Sequence, residues 1–371
     1  MSRVYARYRQ RGDEEESFGE VTEDGRGHYG RALLEVEDLK VHFGSHRHPI
    51  RAVDGVSFTV YEGECLGLVG ESGCGKSTLG RAVLRLEPAT AGRVRYGGSD
   101  VLRIEGEALQ RYREKAQMIF QDPYGSLNPR LTIGGALTEV LTVHKRGHRR
   151  ERRAMAEALL DSVGLDAAYM DRYPHEFSGG QRQRIGIARS LAVNPSLLIA
   201  DEPVSALDVS VQVQILNLLK DLQRQHGLTY LFVAHDLAVV RYICDRILVM
   251  YLGRIVESGA AERLYARPAH PYTQALLTSV PDVDRGLQSR GSGRRRAVLK
   301  GDVPSPSVEI KGCPFHTRCP HATDECRART PSLRTVAPGH QVACHYAERF
   351  LGPAEGVGAV EALGDASPSV G

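Results

Sequence analysis

No apolar stretch in this 371-residue chain approaches the roughly 20 residues that a helix needs to cross a bilayer. The longest, such as Leu197–Ala200 and Ile247–Leu252, are short, so any membrane passage served by the chain calls for separate polypeptides. Charge of one sign is also lacking. There are 48 basic and 45 acidic residues, a net charge of +3, which gives no global basic field for nucleic acid or anionic lipid. Met1–Arg11 carries four arginines without an apolar core, unlike a signal peptide, and a cytoplasmic location is expected. No internal repeat is visible. What is present is an ordinary globular balance, 42% hydrophobic and 25% charged, too apolar for a fully disordered chain. Cysteine numbers seven, an odd count, and four lie between Cys313 and Cys344. In a reducing compartment such a cluster suggests metal more than disulfides.

Residues 1–31 mix arginine, acidic residues and glycine without periodicity and are expected to form a tail. Leu33–Phe43 then reads as a half-buried strand, and Ser57–Val60 as another. Cys65–Val69 is continuously apolar, as a strand buried on both faces is. Gly70–Gly75 breaks it, and Lys76–Leu86 has helical spacing. Arg93–Tyr96 followed by two glycines predicts a hairpin edge. Met118–Phe120 is a short strand, after which the pattern to Tyr173 is mostly helical. Within it, Glu151–Val163 places Met155, Leu159, Leu160 and Val163 on one face and ends at Gly164. Strand patterns return at Leu197–Ala200, Tyr230–Val233 and Arg246–Met250, with a helix at Val211–Gln225 between the first two. Alternating strands and helices predict an α/β fold with a mainly parallel sheet, an antiparallel β edge and a helical insertion. Arg285–Pro306 reads as a linker or arm, and 351–371 as a second tail.

Gly70-Glu71-Ser72-Gly73-Cys74-Gly75-Lys76-Ser77 fits the phosphate-binding pattern G-x-x-x-x-G-K-[ST]. Its glycines let backbone N–H groups turn toward phosphate oxygens, and the following helix adds its positive dipole end. Lys76 would neutralise the β/γ-phosphates and Ser77 would ligate Mg²⁺. A chance glycine-rich turn is the bland alternative, disfavoured by the strand before and the helix after. Leu197–Ala200 ends in Asp201-Glu202. Asp201 would hold Mg²⁺ directly or through water, and Glu202, past the strand end, could polarise an attacking water. Alone, the pair could be a surface acidic turn. A third element, Phe177-Ser178-Gly179-Gly180-Gln181-Arg182, opens a helix over Gln181–Leu191 and makes a second anion-binding helix start. One nucleotide has no obvious use for two such cradles from the same chain.

These three motifs together resemble the ATP-binding cassette family, with Phe177 where leucine is commoner. The resemblance implies an ATPase in which the Ser178–Gln181 signature of one subunit closes over ATP held by the glycine-rich loop of another. It counts Gly70, Glu71, Ser72, Gly73, Cys74, Gly75, Lys76, Ser77 and Thr78 among the nucleotide contacts, together with Ser178, Gly179, Gly180 and Gln181. Gln121 resembles the hinge glutamine that reaches Mg²⁺ or the lytic water. Asp208 resembles the polar contact of a loop crossing the dimer interface. His235, 34 residues after Asp201, resembles the histidine that contacts the γ-phosphate; a lone strand-end histidine would more often be structural. Phe43 stands where an aromatic stacks on adenine, or is an ordinary strand-end core residue. Cys74 is either oxidation-sensitive or a small inert side chain. The implied catalytic set is Glu202, His235, Gln121 and Lys76, and the implied Mg²⁺ set is Ser77, Gln121 and Asp201.

The resemblance extends further. Gln121–Arg130, including Tyr124, then Gly301–Pro306, and Cys313-Pro314-Phe315-His316-Thr317-Arg318-Cys319-Pro320 through Cys344-His345 resemble the oligopeptide/dipeptide importer ATPases, closest to the subunit designated F. That implies a nucleotide-binding domain over 32–266 with its helical insertion at about 122–180, and a C-terminal extension over 267–350. It also implies a second ATPase subunit, as heterodimer or homodimer, two transmembrane permeases, an extracytoplasmic solute-binding protein, and a place on the cytoplasmic face of the plasma membrane. Peptide is the implied solute, although ATPases of this family also serve nickel and other small solutes. A non-transport clamp ATPase would more usually show coiled coils or two cassettes. A binding-only subunit would lack the equivalents of Glu202 or His235.

The four cysteines are spaced C-x5-C-x6-C-x17-C, without the C-x2-C pairs of zinc knuckles. Cys313, Cys319, Cys326 and Cys344 suit a [4Fe-4S] cluster, favoured by the resemblance; zinc and free thiols stay open. Because they lie beyond the cassette, a structural role apart from the nucleotide site is expected. His316, His321 and His345 are read as structural or solvated. Arg294–Arg296 could dock on headgroups or a partner, or be a solvated run.

Overall fold

The computed structural model describes residues 30–45, 48–122, 125, 127–278, 303–305, 307–308 and 310–351. Both tails, Tyr124 and the Arg294–Arg296 run lie wholly or mostly outside the described residues. In chain order come β1 (Ala32–Ser45), β2 (His48–Tyr61), β3 (Cys65–Val69), α1 (Lys76–Val83), β4 (Ala91–Tyr96) and β5 (Ser99–Asp100). Next are α2 (Gly106–Lys115), β6 (Ala116–Ile119), α3 (Ile133–Val143), α4 (Arg152–Ser162) and α5 (Gly179–Leu191). Then follow β7 (Leu197–Asp201), α6 (Val209–His226), β8 (Thr229–Ala234), α7 (Leu237–Ile243), β9 (Arg246–Tyr251) and β10 (Arg254–Ala260). The C-terminal part holds α8 (Ala261–Ala266), α9 (Pro271–Thr278), α10 (Asp324–Ala328), β11 (Arg334–Ala337), β12 (His340–Val342) and α11 (Glu348–Leu351).

All five residues of β3 are buried, and strand alternation splits them between two cores. Leu66 and Leu68 join Ile199, Leu231, Val233 and Leu248 on one face. Cys65 and Val69 join Leu198, Tyr230, Phe232 and Val249 on the other. A strand covered on both faces must be apolar throughout, which is why these runs do not alternate. The large sheet has the order β11-β12-β10-β9-β3-β8-β7-β6. From β6 to β9 the neighbours are parallel, and β10, β12 and β11 continue antiparallel. A second, antiparallel sheet, β2-β1-β4-β5, covers one face. The α/β architecture with a mainly parallel sheet is therefore as the alternation predicts.

The helical insertion contains α3, α4 and two 3₁₀ turns before α5. Thr132 caps α3 by accepting from Gly135 N–H at 3.1 Å. In α4 the buried Ala156 and Leu160 and the partly buried Met155 and Leu159 form the inward face. Helix α6 buries Ile215, Leu216, Leu219 and Leu222 and ends at Gly227, φ 59°.

One expectation needs correction. Helix α1 stops at Val83 rather than Leu86, because Arg85 turns left-handed (φ 55°) and Leu86 N–H returns to Arg81 O at 2.8 Å. The Arg85 guanidinium, donating to Val101 O at 3.2 Å and to Ile104 O, offsets that strain. The C-terminal extension is joined to the cassette sheet: β12 pairs with β10 through Glu257↔Val342. Glu257, fully buried, accepts from Ala269 N–H at 2.7 Å, His270 N–H at 3.1 Å and His340 Nε2 at 2.7 Å. A buried carboxylate in mid-strand hides β10 from any apolar pattern. Its partners all come from elsewhere in the chain.

Candidate active site

The C-terminal ends of four neighbouring parallel strands, β3, β8, β7 and β6, carry Gly70–Thr78, His235, Asp201–Glu202 and Gln121. Beyond β3 the chain curls through Gly70–Gly75 into α1. Gly75 has φ 104°, and a Cβ there would lie 1.9 Å from Ala52 O; only glycine satisfies both demands. Lys76, 4% exposed, folds back so that Nζ donates to Gly70 O at 2.8 Å and Glu71 O at 3.0 Å. The ammonium is thus held inside the curl, among amides that face anions at a helix start. Cys74 is buried, and burial pushes its thiol pKa up, which favours the inert reading.

Asp201, at the end of β7 and 1% exposed, accepts from Ser77 Oγ at 2.7 Å through Oδ1. Its Oδ2 has no hydrogen-bond partner among the described residues and lies 4.0 Å from Arg81 Nη2. Burial raises the Asp201 pKa, while the Ser77 hydroxyl and Arg81 pull it down. An orphaned carboxylate oxygen beside a serine hydroxyl is a donor set suited to a hard divalent cation.

Glu202 follows with φ 45°, a strained angle for a residue with a side chain. Its N–H donates to Val233 O of β8 at 2.9 Å, and its C=O accepts from Ser205 Oγ at 3.0 Å. Two groups meet on Glu202 Oε2: His235 Nδ1 at 2.9 Å, from the end of β8, and Gln121 Nε2 at 3.3 Å, from the end of β6. Glu202, Gln121 and His235 therefore form one cluster beside the Ser77–Asp201 pair.

The signature stands apart. Ser178 caps α5: its Oγ accepts from Gln181 N–H at 3.3 Å, and Gln181 Oε1 accepts from Ser178 N–H at 3.0 Å. Gly179 and Gly180 face Leu207 and Val211 around the start of α6. Among the described residues no hydrogen bond joins Ser178–Gln181 to Gly70–Thr78. Asp208 is the exposed N-cap of α6 without a side-chain cap bond. Phe43, 36% exposed, pairs across β1 and β2 with Ile50, 41% exposed. They sit two positions beyond Ala52, whose carbonyl abuts Gly75.

Cys313, Cys319, Cys326 and Cys344 line one small cavity. Burial, with the neighbouring thiols, pushes Cys313 up to about 12, and burial also raises Cys319 and Cys344. Tyr346 N–H donates to Cys344 Sγ at 3.4 Å and Thr323 Oγ1 to Cys326 Sγ at 3.5 Å. The expected metal cage is not preformed: among the described residues no three His, Cys, Asp or Glu side chains are spaced to hold an ion. His316 Nδ1 contacts Cys313 O and His345 Nε2 contacts Arg329 O, and His321 packs on Phe350.

Sequence reading missed two residues. Arg318, one position before Cys319, pairs with Glu71, and Tyr272 Oη accepts from Glu71 N–H at 2.9 Å. The extension thus touches the glycine-rich loop at Glu71. Tyr272 belongs to no local motif, and Arg318 lies within the Cys313–Pro320 segment beside a cysteine, so no spacing marks either one as a partner of Glu71.

Two family models match the chain, the ABC transporter model over residues 53–205 and the oligopeptide/dipeptide transporter C-terminal region over 256–326. The oligopeptide transport ATP-binding protein AppF of Bacillus subtilis is 52% identical over 322 residues, covering 84% of this chain and 97% of its own. A Brucella ovis protein named for peptide import as an ATP-binding protein is 51% identical over 312 residues, covering 84% and 97%. Among solved structures, a dimeric ATP-binding cassette in a post-hydrolysis state bound to ADP and Pi is 30% identical. It superposes with a TM-score of 0.57 over 62% of this chain and 99% of its own. The chain belongs to the ATP-binding cassette transporter family, among the ATPases that carry the oligopeptide/dipeptide C-terminal region.

Proposed function

We propose that the chain is the ATP-hydrolysing subunit of a peptide importer. The observation that carries this reading is the meeting of Gln121 and His235 on Glu202 beside the Ser77–Asp201 pair, all at the ends of adjacent parallel strands. In this reading the Gly70–Thr78 amides and Lys76 bind the phosphates. Phe43 faces the adenine. Ser77, Asp201 and Gln121 would hold Mg²⁺, which when bound neutralises phosphate charge. Glu202 accepts a proton from the attacking water, held in line by Gln121, and His235 donates toward the γ-phosphate as charge develops there.

Ser178–Gln181 is capped by its own residues and, among the described residues, makes no hydrogen bond to Gly70–Thr78, which supports its use on ATP held by a second ATPase subunit, with Asp208 at the junction. No helix among the described residues is long and apolar enough to cross a membrane. The transport path is therefore assigned to two permeases fed by a solute-binding protein, with this subunit on the cytoplasmic face. The proposed units are a nucleotide-binding domain over 32–266, with its helical insertion at about 122–180, and an extension over 267–350. Four thiols around one cavity support a [4Fe-4S] cluster on Cys313, Cys319, Cys326 and Cys344, whose chemistry here would be structural cross-linking.

The test is reconstitution with the permeases in proteoliposomes, measuring ATP-dependent accumulation of labelled di- and oligopeptides. Uptake that is absent with peptides but present with a metal ion would move the solute assignment. Uptake of neither would overturn the importer reading.

A further inference from the structure

The glycine-rich loop is gripped from outside the cassette motifs. Arg318 Nη1 and Nη2 donate to Glu71 Oε2 and Oε1 at 2.6 and 3.0 Å, a two-pronged ion pair spanning 247 positions of sequence. The Arg318 side chain is 5% exposed and that of Glu71 24%, so this pair is not screened as a surface pair is. Three groups hold Glu71 at three points: Arg318 its carboxylate, Tyr272 Oη its N–H, and Lys76 Nζ its carbonyl.

The Arg318 side of the grip is itself tied into a turn and packed on aromatic rings. Cys319 N–H and Arg318 N–H both return to Phe315 O, at 2.9 and 3.0 Å, closing the Cys313–Cys319 turn on Phe315. The Phe315 ring packs 5.3 Å from Tyr251 and 5.4 Å from Tyr272, and those two rings are 4.7 Å apart. The cysteine turn, the end of β9 and the start of α9 thus form one aromatic block behind the loop.

A loop with glycines at 70, 73 and 75 loses more backbone entropy on ordering than the same loop without them would. Amides that are to meet phosphate oxygens must nonetheless be aligned before the nucleotide arrives. We infer that Arg318 is a positioning residue for the phosphate loop, tying nucleotide affinity to the cysteine module that carries it. This rests on the reading that Gly70–Thr78 binds the phosphates of ATP.

The test uses the full chain and a fluorescent ATP analogue with Mg²⁺, well below the melting temperature of each variant. Lys76→Ala probes the underlying reading. Analogue binding to the native chain that is lost in Lys76→Ala upholds it; binding that survives overturns both claims. Given that result, Arg318→Met should weaken binding by about tenfold, and Arg318→Lys should recover part of it with one prong. Glu71→Gln removes the same pair from the loop side, so the outcome stands even if an Arg318 variant folds poorly. The double variant Glu71→Gln/Arg318→Met should be no weaker than Arg318→Met. Hydrogen exchange of the 70–75 amides should quicken in Arg318→Met. Native affinity in Arg318→Met, or effects of the two single changes that multiply in the double, would overturn the inference while leaving the phosphate-loop reading in place.

Discussion

At the residue scale, Glu202 is held in a strained backbone with two partners on one carboxylate oxygen. Such strain is stored where geometry matters more than stability. Glu202→Gln keeps the shape and removes the proposed base. ATP binding should persist while turnover in the assembled complex falls by about 10² or more, and near-native turnover would remove Glu202 from that role. Asp201 makes a second case. Burial raises its pKa above the ordinary carboxylate value of 3.8, so ionisation works against the folded state. Its contribution to stability is full below the unfolded value and is lost as pH rises through the folded one. Asp201→Asn should therefore melt higher than the native chain at pH 7 without metal, the gap narrowing in acid, while Mg²⁺-dependent hydrolysis is lost. A lower melting temperature for the asparagine variant would contradict this.

At the element scale, β10 shows how a strand escapes a pattern search. Its central Glu257 is buried and accepts, among the described residues, from His340 and two backbone amides that enter from the extension and the α9 approach. Removing one partner of such a site leaves the others desolvated and unpaired. Glu257→Ala should cost about 3–5 kcal/mol of stability, with new protease cuts in the extension. A variant as stable and as resistant as the native chain would show that the clasp is dispensable. Helix α1 stops early for a comparable reason, since the partners of Arg85, Val101 O and Ile104 O, become visible only once the chain is folded.

At the scale of the whole molecule, the proposed site is incomplete in one chain. The signature helix start is capped by its own residues and packs toward α6. The isolated chain should consequently be a poor ATPase, and adding the second ATPase subunit and the permeases should raise the rate. A dilute monomer as fast as the complex would defeat the shared-site reading. The cysteine module makes a separate prediction. Protein purified without oxygen should be brown and contain iron, and replacing any one of the four cysteines by serine should bleach it. Colourless protein with stoichiometric zinc would reassign the site, and colourless protein with four alkylatable thiols would leave it without metal.

Sequence alone determined the fold class and singled out most residues of the candidate catalytic cluster. Buried parallel strands are apolar throughout, and a phosphate-cradling turn admits few residues besides glycine, lysine and serine. Gly70–Ser77, Asp201-Glu202 and Ser178–Gln181 therefore carry their chemistry in local spacing. Only the tertiary structure decided that Gln121 and His235 meet on Glu202, because those contacts join the ends of β6, β7 and β8. It alone seated Arg318 on Glu71 and drew β12 onto β10. Those pairings are made between distant segments, and buried polar groups offset their desolvation only when such partners meet, which no local periodicity records.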